Sequence, residues 1–176
     1  MKINKIYSFL PKNQIKKKDI EKLTGSNYKK IINYTGFEKL FILKKKQTTQ
    51  NFIYQSIDKF LKISKIDINK IDGLIFSSHS RQQEMPIFSA SIQNKIGLKN
   101  SILCYDLPSS CSGFTSGLIH AQAFLKSKIA KNILLICSDT HSKNLKSNNL
   151  KPIISDGVSI INCQYSKDFF YFDMGV

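Results

Sequence analysis

The chain has 176 residues, of which 41% are hydrophobic and 22% are charged, a balance that excludes an intrinsically disordered protein and suits one folded domain or slightly more. The 27 lysine and arginine residues outnumber the 12 acidic ones, so the formal net charge is +15. These basic residues are almost all lysines scattered along the sequence, without the basic and aromatic clusters typical of a nucleic-acid site. We therefore expect no nucleic-acid partner and favour an acidic protein partner.

The sequence carries no recognisable secretion or membrane signal. Lysines at positions 2 and 5 interrupt the region where a signal peptide would be apolar. Residues 107–125 are uncharged over nearly the length of a membrane span, but Pro108 and the many serine and glycine residues favour an enclosed core segment. We therefore expect a cytoplasmic protein that does not associate with a membrane. No disulfide is expected in that reducing compartment, and no metal-ligand spacing relates the four cysteines, Cys104, Cys111, Cys137 and Cys163.

The first half of the chain predicts strands that alternate with helices. Residues 2–10 are typical of a strand, and residues 16–23 of a short helix. Thr48 or Thr49 can cap a second helix, because the apolar residues that follow recur with a 3.6-residue period. Residues 73–78 then form a strand flanked by glycine and serine. This alternation is typical of an α/β domain.

The next segment predicts a helix, a strand and a further helix. Pro86 is placed at the opening of the first helix, where its missing N–H costs nothing, and Gly97 stops that helix. Residues 101–107 form the strand. The helix after Cys111 is apolar on nearly all sides, so we expect it to be buried, with His120 as a hydrogen-bonded packing residue rather than a catalytic base.

The last third of the chain predicts more strands around a long loop. Residues 132–138 form a continuous apolar run, typical of a strand that is covered on both faces. A polar loop from Asp139 through Pro152 follows, and loops of this length are uncommon unless they are functional or disordered. Residues 158–163 and 168–172 are interpreted as a closing pair of strands.

The stretch from Asp106 to Gly117, with Cys111 at its centre, is the candidate catalytic segment. The strand before it and the helical spacing after it place Cys111 where a strand turns into a helix. The unpaired N–H groups and the positive dipole end of a helix N-terminus stabilise a thiolate over a thiol, so we expect a nucleophile there. A buried and inert cysteine is the alternative that the residue type alone favours.

The run Asp106-Leu-Pro-Ser-Ser-Cys-Ser-Gly-Phe114 resembles the nucleophile region of the thiolase-like condensing enzymes, most closely the β-ketoacyl-ACP synthase III type, where ACP is acyl carrier protein. Three other stretches agree in order and spacing: residues 34–37, 86–93 and 155–158. The resemblance implies a thiolase-like N-terminal half, with a mixed five-stranded sheet and helices on both faces. Residues 1–176 would then be one half-domain carrying the nucleophile, with the C-terminal half absent.

The resemblance also implies a reaction and its partners. Cys111 would take an acyl group from acyl-CoA or acyl-ACP as substrate, without a metal or other cofactor, and the acyl-enzyme would condense with malonyl-ACP. Acyl carrier protein and a second copy of the chain would be the partners. Met85, just before the helix-opening proline, would reach across a two-fold interface into the acyl pocket of that copy. The histidine and asparagine that complete the reaction belong to the second half in this family.

Two other functions remain open. A cysteine hydrolase or amidotransferase could use Cys111 as its nucleophile with Asp139 and His141 downstream, although Ser109 stands where such enzymes have a glycine. Alternatively, the chain could be a non-catalytic half-enzyme or a truncated fragment.

Overall fold

A computed structural model describes residues 1–80, 85–143 and 154–167 of the chain. The strands are β1 (Lys2–Phe9), β2 (Gln14–Ile15), β3 (Leu40–Phe41), β4 (Gly73–Ser77), β5 (Leu103–Leu107), β6 (Asn132–Asp139) and β7 (Gly157–Gln164). The α-helices are α1 (Lys17–Thr24), α2 (Tyr28–Thr35), α3 (Thr49–Ser64), α4 (Phe88–Ile96) and α5 (Gly113–Lys126). This alternation confirms the α/β class predicted from the sequence.

Five of these strands form one mixed sheet with the spatial order β1-β7-β6-β4-β5. β4 lies between β5 and β6 and is parallel to both, whereas β7 is antiparallel to β6 and to β1. β2 and β3 pair separately as a short two-stranded ribbon. The mixed five-stranded sheet that the family resemblance implied is therefore confirmed.

Each face of the sheet carries its own hydrophobic core, because successive side chains of a strand point to opposite faces. α3 and α4 cover one face, where Phe60 and Phe88 pack around Phe76 of β4 and its neighbours. α5 covers the other face, where Leu118 and Leu125 pack in a cluster around Ile75 and Leu135. This confirms the predicted helices on both faces, with the Cys111 helix on one face and the Phe52 and Phe88 helices on the other.

The predicted burial of α5 holds for the face that packs on the sheet, whereas its outer face is partly exposed. Leu118 and Leu125 are buried against the sheet, but Phe114 and Ile119 on the outer side are 42% and 39% exposed. Among the described residues, only the one sheet packs on this helix, so its second apolar face meets no partner. None of the helices in the described part of the chain is long and apolar enough to span a bilayer.

The start of α4 also differs from the prediction. Pro86 does not open the helix, which begins two residues later at Phe88. The carboxylate of Asp106 on β5 accepts hydrogen bonds from the backbone N–H groups of Phe88 (2.7 Å) and Ser89 (2.9 Å). A carboxylate satisfies the unpaired donors of a helix N-terminus and interacts favourably with its dipole. This contact between α4 and β5 explains where the helix begins.

The remaining predicted boundaries are largely confirmed. Thr48 caps α3, and its hydroxyl accepts a hydrogen bond from Asn51 N at 3.2 Å. Gly25 ends α1 in the left-handed conformation, with φ of 67°. β7 contains the first predicted closing strand, at residues 158–163. The second, residues 168–172, and the predicted loop from residue 144 through Pro152 lie outside the described residues.

A network of three amides, of which those of Asn132 and Asn162 are buried and that of Asn4 is exposed, joins β1 to β7 and β6. Asn4 Nδ2 donates to Asn162 Oδ1 (3.0 Å), and Asn162 Nδ2 donates in turn to Asn132 Oδ1 (2.5 Å). Asn4 lies where the pairing register of β1 shifts, between Ile3 and Lys5. Because a slip by one residue would leave the fully buried Asn162 amide without its partners, the network favours this register over its neighbours.

Asp106→Ala should lower the free energy of unfolding by about 2 kcal/mol, because it removes the charged acceptor of two backbone N–H groups at the α4 N-terminus. Urea unfolding followed by circular dichroism measures the change. Asp19→Ala, at an exposed carboxylate in the first turn of α1, is the matched control and should change stability by only a few tenths of a kcal/mol. Equal midpoints for the two variants would contradict the role of Asp106.

Candidate functional site

Cys111 opens onto a cavity of about 230 Å³ at the carboxyl ends of β4 and β6. Five parts of the chain meet there: the end of β1, the end of β4, the end of β6, the turn before α5, and the start of β7. The described lining residues are Ser8, Phe9, Leu10, Ser77, Ser109, Ser110, Cys111, Gly113, Phe114, Cys137, Ser138, Asp139, Gly157, Val158 and Ser159. The thiol therefore faces a space that combines apolar walls with several hydroxyl groups.

Cys111 lies at the junction of strand and helix, as predicted, but in the turn before α5 rather than in its first turn. Ser112 is the N-cap residue and Gly113 the first helical one. The N–H of Gly113 donates to Ser110 O at 2.9 Å, which closes a tight turn around Cys111. The cysteine is exposed, and its Sγ is 3.9 Å from Ser110 Oγ. The alternative of a buried cysteine is therefore wrong for Cys111, and its role as a nucleophile stays a prediction.

Two glycines allow α5 to approach the sheet closely enough to bring Cys111 to this position. A Cβ atom on Gly113 would lie 2.6 Å from Ser77 Oγ, and one on Gly117 would lie 2.6 Å from Leu135 Cδ1. Neither distance is compatible with a real side chain unless the neighbour moves. The close contact places the start of α5 directly over the end of β4.

A row of small side chains forms the floor of the cavity. Ser77 on β4 pairs with Cys137 on β6, Cys137 pairs with Ser159 on β7, and Ser159 pairs with Ser8 on β1. The hydroxyl oxygens of Ser8 and Ser159 are 2.8 Å apart and hydrogen bonded. Ser77 Oγ is buried and has no hydrogen-bond partner within the described part of the chain. The sequence analysis missed these residues because they come together only through the strand register.

Asp139 ties together the carboxyl ends of β4 and β6 beside the cavity. Its Oδ1 atom accepts hydrogen bonds from His79 N (2.9 Å), Ser80 N (3.0 Å), Ser80 Oγ (3.0 Å) and Ser78 Oγ (3.3 Å). Ser80 Oγ also accepts a hydrogen bond from Thr140 N at 2.7 Å. The Asp139 carboxylate therefore stabilises the backbone conformation of residues 78–80, the segment that follows β4.

His141 lies beside Asp139 but not in the cavity lining as described. Its Nε2 atom is 3.9 Å from Asp139 Oδ1, and its ring is 6.2 Å from that of His79. A hydrolase would need this imidazole within hydrogen-bond reach of the nucleophile. No hydrogen bond to Cys111 from an imidazole occurs among the described residues, and the mixed sheet differs from the parallel sheet of such enzymes. The arrangement therefore disfavours the hydrolase alternative.

His120 is a packing residue, as predicted. Its Nδ1 atom is 2.8 Å from Ser116 O, one helical turn earlier, and its ring stacks on Tyr105 at a centroid distance of 5.4 Å. Within the described residues, no group of three His, Cys, Asp or Glu side chains has an arrangement that could hold a metal ion.

Asp156 holds the other side of the cavity in place. It is completely buried, and its carboxylate accepts hydrogen bonds from Leu43 N (2.8 Å), from Ser142 N (3.0 Å) and from the Ser142 hydroxyl. Asp156 immediately precedes Gly157, which lines the cavity. The Ser155-Asp156-Gly157 motif from the sequence therefore has a structural role, in fixing the start of β7.

The other three cysteines, Cys104, Cys137 and Cys163, are less accessible than Cys111. Burial raises the pKa of Cys137 to about 12, with a smaller contribution from Asp139, and burial raises the pKa of Cys163 to about 12 as well. Burial and then Asp106 raise the pKa of Cys104. All four thiols are free.

Met85, the predicted acyl-pocket residue, does not line the cavity described for this single chain. Its side chain is 83% exposed. It precedes α4, whose first N–H groups are held by Asp106 of the edge strand β5. Met85 therefore lies beside the edge of the sheet that is open to another chain.

Comparison with known proteins supports the family resemblance. A family model described as 3-oxoacyl-[acyl-carrier-protein (ACP)] synthase III matches residues 105–168. The β-ketoacyl-[acyl-carrier-protein] synthase III of Neisseria gonorrhoeae is 28% identical over 142 residues, which cover 81% of this chain and 44% of that protein. The corresponding protein of Pasteurella multocida is 27% identical over 162 residues, covering 91% of this chain and 51% of that protein.

Solved structures agree in fold. A 3-oxoacyl-(acyl-carrier-protein) synthase III structure superimposes with a TM-score of 0.86 at 21% identity, covering 96% of this chain and 51% of that one. The structure of the Aquifex aeolicus 3-oxoacyl-[acyl-carrier-protein] synthase III superimposes with a TM-score of 0.85 at 25% identity. The match covers 95% of this chain and 54% of that one. The fold is thus thiolase-like, and the chain spans about half the length of the relatives that it matches.

Cys111 should be the first thiol that iodoacetamide alkylates in the folded chain. At about pH 8 only a thiolate reacts appreciably, and Cys137 and Cys163, with pKa values of about 12, stay protonated. Intact-mass spectrometry should show one fast adduct, which Cys111→Ser removes. Four adducts should form in urea. Fast alkylation that persists in Cys111→Ser would contradict this assignment.

Proposed function

We propose that this chain, a thiolase-like protein of the β-ketoacyl-ACP synthase III type, carries the acyl-accepting nucleophile of a condensing enzyme in fatty-acid or related acyl-chain synthesis. The observation that carries the proposal is the exposed Cys111 thiol, which opens onto a cavity beside the N-terminus of α5. A helix N-terminus favours negative charge, and therefore favours a thiolate and the oxyanion formed when that thiolate is acylated.

The proposed covalent step is a thioester exchange. The Cys111 thiolate attacks the carbonyl carbon of an acyl thioester, and a new carbon–sulfur bond forms. The tetrahedral intermediate collapses by breaking the carbon–sulfur bond to the carrier, whose thiolate leaves and takes up a proton. The acyl group is then bound to Cys111, and no metal or other cofactor takes part. In the complete reaction, the carbanion formed when malonyl-ACP loses carbon dioxide attacks this acyl group.

The condensation step needs groups beyond those of this cavity. In the family that the chain resembles, a histidine and an asparagine of a second half assist decarboxylation. His120 is committed to Ser116 O and Tyr105, and His141 lies outside the described cavity lining, so neither is placed for this role. The outward side chains of α5, Phe114 and Ile119, offer an apolar face to such a half. We therefore assign only the acylation to residues 1–176.

The positive net charge of the chain favours an acidic carrier protein as its partner. Lys143 Nζ donates to Lys44 O at 2.6 Å, which places Lys143 beside the exposed lysines at positions 44–46. These lysines are connected to the cavity at two points. Lys143 follows the cavity-lining residue Asp139 by four positions. Leu43, next to Lys44, donates its N–H to Asp156, which precedes the cavity-lining Gly157. Clustered positive charge attracts an acidic partner such as acyl carrier protein and accelerates its association. The proposed setting for this reaction is the cytoplasm.

Incubation of the chain with radiolabelled acyl-CoA or acyl-ACP should label Cys111, and Cys111→Ala should abolish the label, because the acyl–sulfur bond cannot form without the thiol. Subsequent addition of malonyl-ACP should release no β-ketoacyl product. Denaturing gel electrophoresis measures the first step and product chromatography the second.

Cys104→Ala is the matched control and should keep the label, because Cys104 is partly buried and lies outside the described cavity lining. Labelling that survives Cys111→Ala would contradict the proposed nucleophile. Steady product formation by this chain alone would show that the residues of a second half are not required.

The full-length protein is proposed to be a homodimer built on β5. This strand is an edge of the sheet, so its outer backbone groups are available to pair with a second copy. Met85, 83% exposed, lies near this edge, and a flexible thioether suits the lining of a partner's acyl pocket.

Met85→Trp should shift the acyl-chain preference of the dimer toward shorter chains, because the larger side chain would fill the partner's pocket. Competition between acetyl and longer acyl thioesters measures the shift. Ile63→Trp, at an exposed apolar residue of α3, should leave the preference unchanged. A monomeric mass in light scattering of the full-length protein would refute the dimer, and an unchanged preference in Met85→Trp would remove Met85 from the pocket.

A further inference from the structure

The segment between β3 and α3 contains a turn with three consecutive lysines, at positions 44–46. The N–H of Gln47 donates to Lys44 O at 2.9 Å, which closes the turn. The N–H of Leu43, just before the turn, donates to the buried carboxylate of Asp156 at 2.8 Å. All three lysines are exposed. The backbone of this lysine turn, residues 44–47, is therefore fixed, while its charged side chains lie in solvent.

A fourth lysine, Lys143, holds the lysine turn in place. Its Nζ atom donates to Lys44 O at 2.6 Å and to Lys45 O at 3.3 Å. Hydrogen bonds from a charged donor are stronger than those between neutral groups. Lys143 is itself anchored, because the N–H of its neighbour Ser142 donates to Asp156 at 3.0 Å. The same carboxylate thus holds both of the segments that the Lys143 side chain joins.

The four lysines of this group have no acidic partners in the described part of the chain. The ion pairs found there are Lys70 with Asp67 and His141 with Asp139. The Asp156 carboxylate is buried and accepts hydrogen bonds from backbone and serine donors instead. Like charges that are held near one another repel. The fold therefore maintains a cluster of positive charge that a negatively charged partner would stabilise.

The geometry of the turn favours a protein surface over a phosphate group as that partner. Phosphate sites use several backbone N–H groups that converge on the anion. Here the N–H groups of Leu43 and Gln47 are already bonded, and the carbonyls of Lys44 and Lys45 face the Lys143 ammonium. The exposed part of the turn is its three flexible charged side chains. Such a surface is complementary to carboxylates spread over the surface of an acidic protein.

From these contacts we infer that the lysine turn is the surface on which the acidic carrier protein docks, and that Lys143 is a positioning residue for it. Lys143 acts through the turn. It fixes the backbone before the carrier arrives, so less conformational freedom is lost when the complex forms. The inference rests on the proposed acylation of Cys111, and it adds the location of the docking surface and the residue that organises it.

The test compares three donors of the same butyryl group: acyl carrier protein, coenzyme A and N-acetylcysteamine. Intact-mass spectrometry follows acylation of Cys111 in the whole chain over a range of donor concentrations, which separates KM from the rate at saturation. The wild-type chain should have its lowest KM with butyryl-ACP, and added salt should raise this KM because it screens exposed charges. The N-acetylcysteamine thioester carries no charge and reports the reactivity of Cys111 alone.

Lys143→Met should raise the KM for butyryl-ACP about fivefold, the upper range for one exposed charge pair, and leave acylation by the N-acetylcysteamine thioester unchanged. Lys143→Arg keeps the charge and the N–H donors, so it should restore most of the affinity. Lys70→Met is the matched control, since it removes the same charge from an exposed lysine that precedes β4, at the other end of the sheet. It should leave every KM unchanged.

A double-mutant cycle separates positioning from a direct contact. Lys45→Met and Lys46→Met together remove two charges of the turn and should raise the KM for butyryl-ACP without disturbing the side chain that holds the turn. If Lys143 acts through the turn, adding Lys143→Met to this pair should have little further effect.

Three results would overturn the inference while leaving the proposed function intact. One is an equal effect of Lys143→Met and Lys70→Met, as expected if only net charge matters. The second is a rise in the KM for butyryl-CoA as large as that for butyryl-ACP, which would indicate a phosphate site. The third is a Lys143→Met effect that multiplies in full with that of the turn variants. Absence of any adduct at Cys111 with all three donors would instead refute the proposed function, and the inference with it.

Discussion

The close contact between α5 and the sheet determines where Cys111 lies. Gly113 and Gly117 face Ser77 and Leu135 at distances that leave no space for a Cβ atom. Because the helix lies this close, the turn that precedes it ends at the carboxyl edge of β4 and β6. Cys111 is then exposed at the same edge where the loops after these strands begin. A bulkier residue at either glycine would lift the helix and move the thiol away from the cavity floor.

Four aspartates organise the backbone around this edge and its opposite. Asp106 accepts hydrogen bonds from the first N–H groups of α4. Asp139 accepts them from the N–H groups of His79 and Ser80. Asp156 accepts them from the N–H groups of Leu43 and Ser142. At the other end of the sheet, Asp72 accepts hydrogen bonds from the N–H groups at the start of β6. These acceptors are a third of the 12 acidic residues, and most of their hydrogen bonds come from backbone N–H groups. Little negative charge is left to pair with the lysines, which leaves the surface strongly basic.

Local hydrophobic periodicity was sufficient to predict the order of the elements and the position of Cys111 at a strand–helix junction. The mixed sheet was predicted only from the family resemblance. Periodicity was not sufficient to place the start of α4, since the Asp106 carboxylate that caps this helix lies 18 residues away. Likewise, the row Ser8, Ser159, Cys137 and Ser77 is assembled by strand pairing, which no local pattern encodes. For α5, helical periodicity showed how apolar each face is, but not which element covers it.

The position of β1 has a consequence for the order of events during synthesis. This strand pairs with β7, whose first residue follows the end of β1 by nearly 150 positions. Until β7 emerges, Tyr7 and Phe9 lack the sheet that later shields them, and pairing so distant in sequence slows folding. Between the synthesis of β1 and that of β7, the nascent chain therefore carries β1 without its partner strand, and chaperones that bind unpaired strands can protect it during this interval.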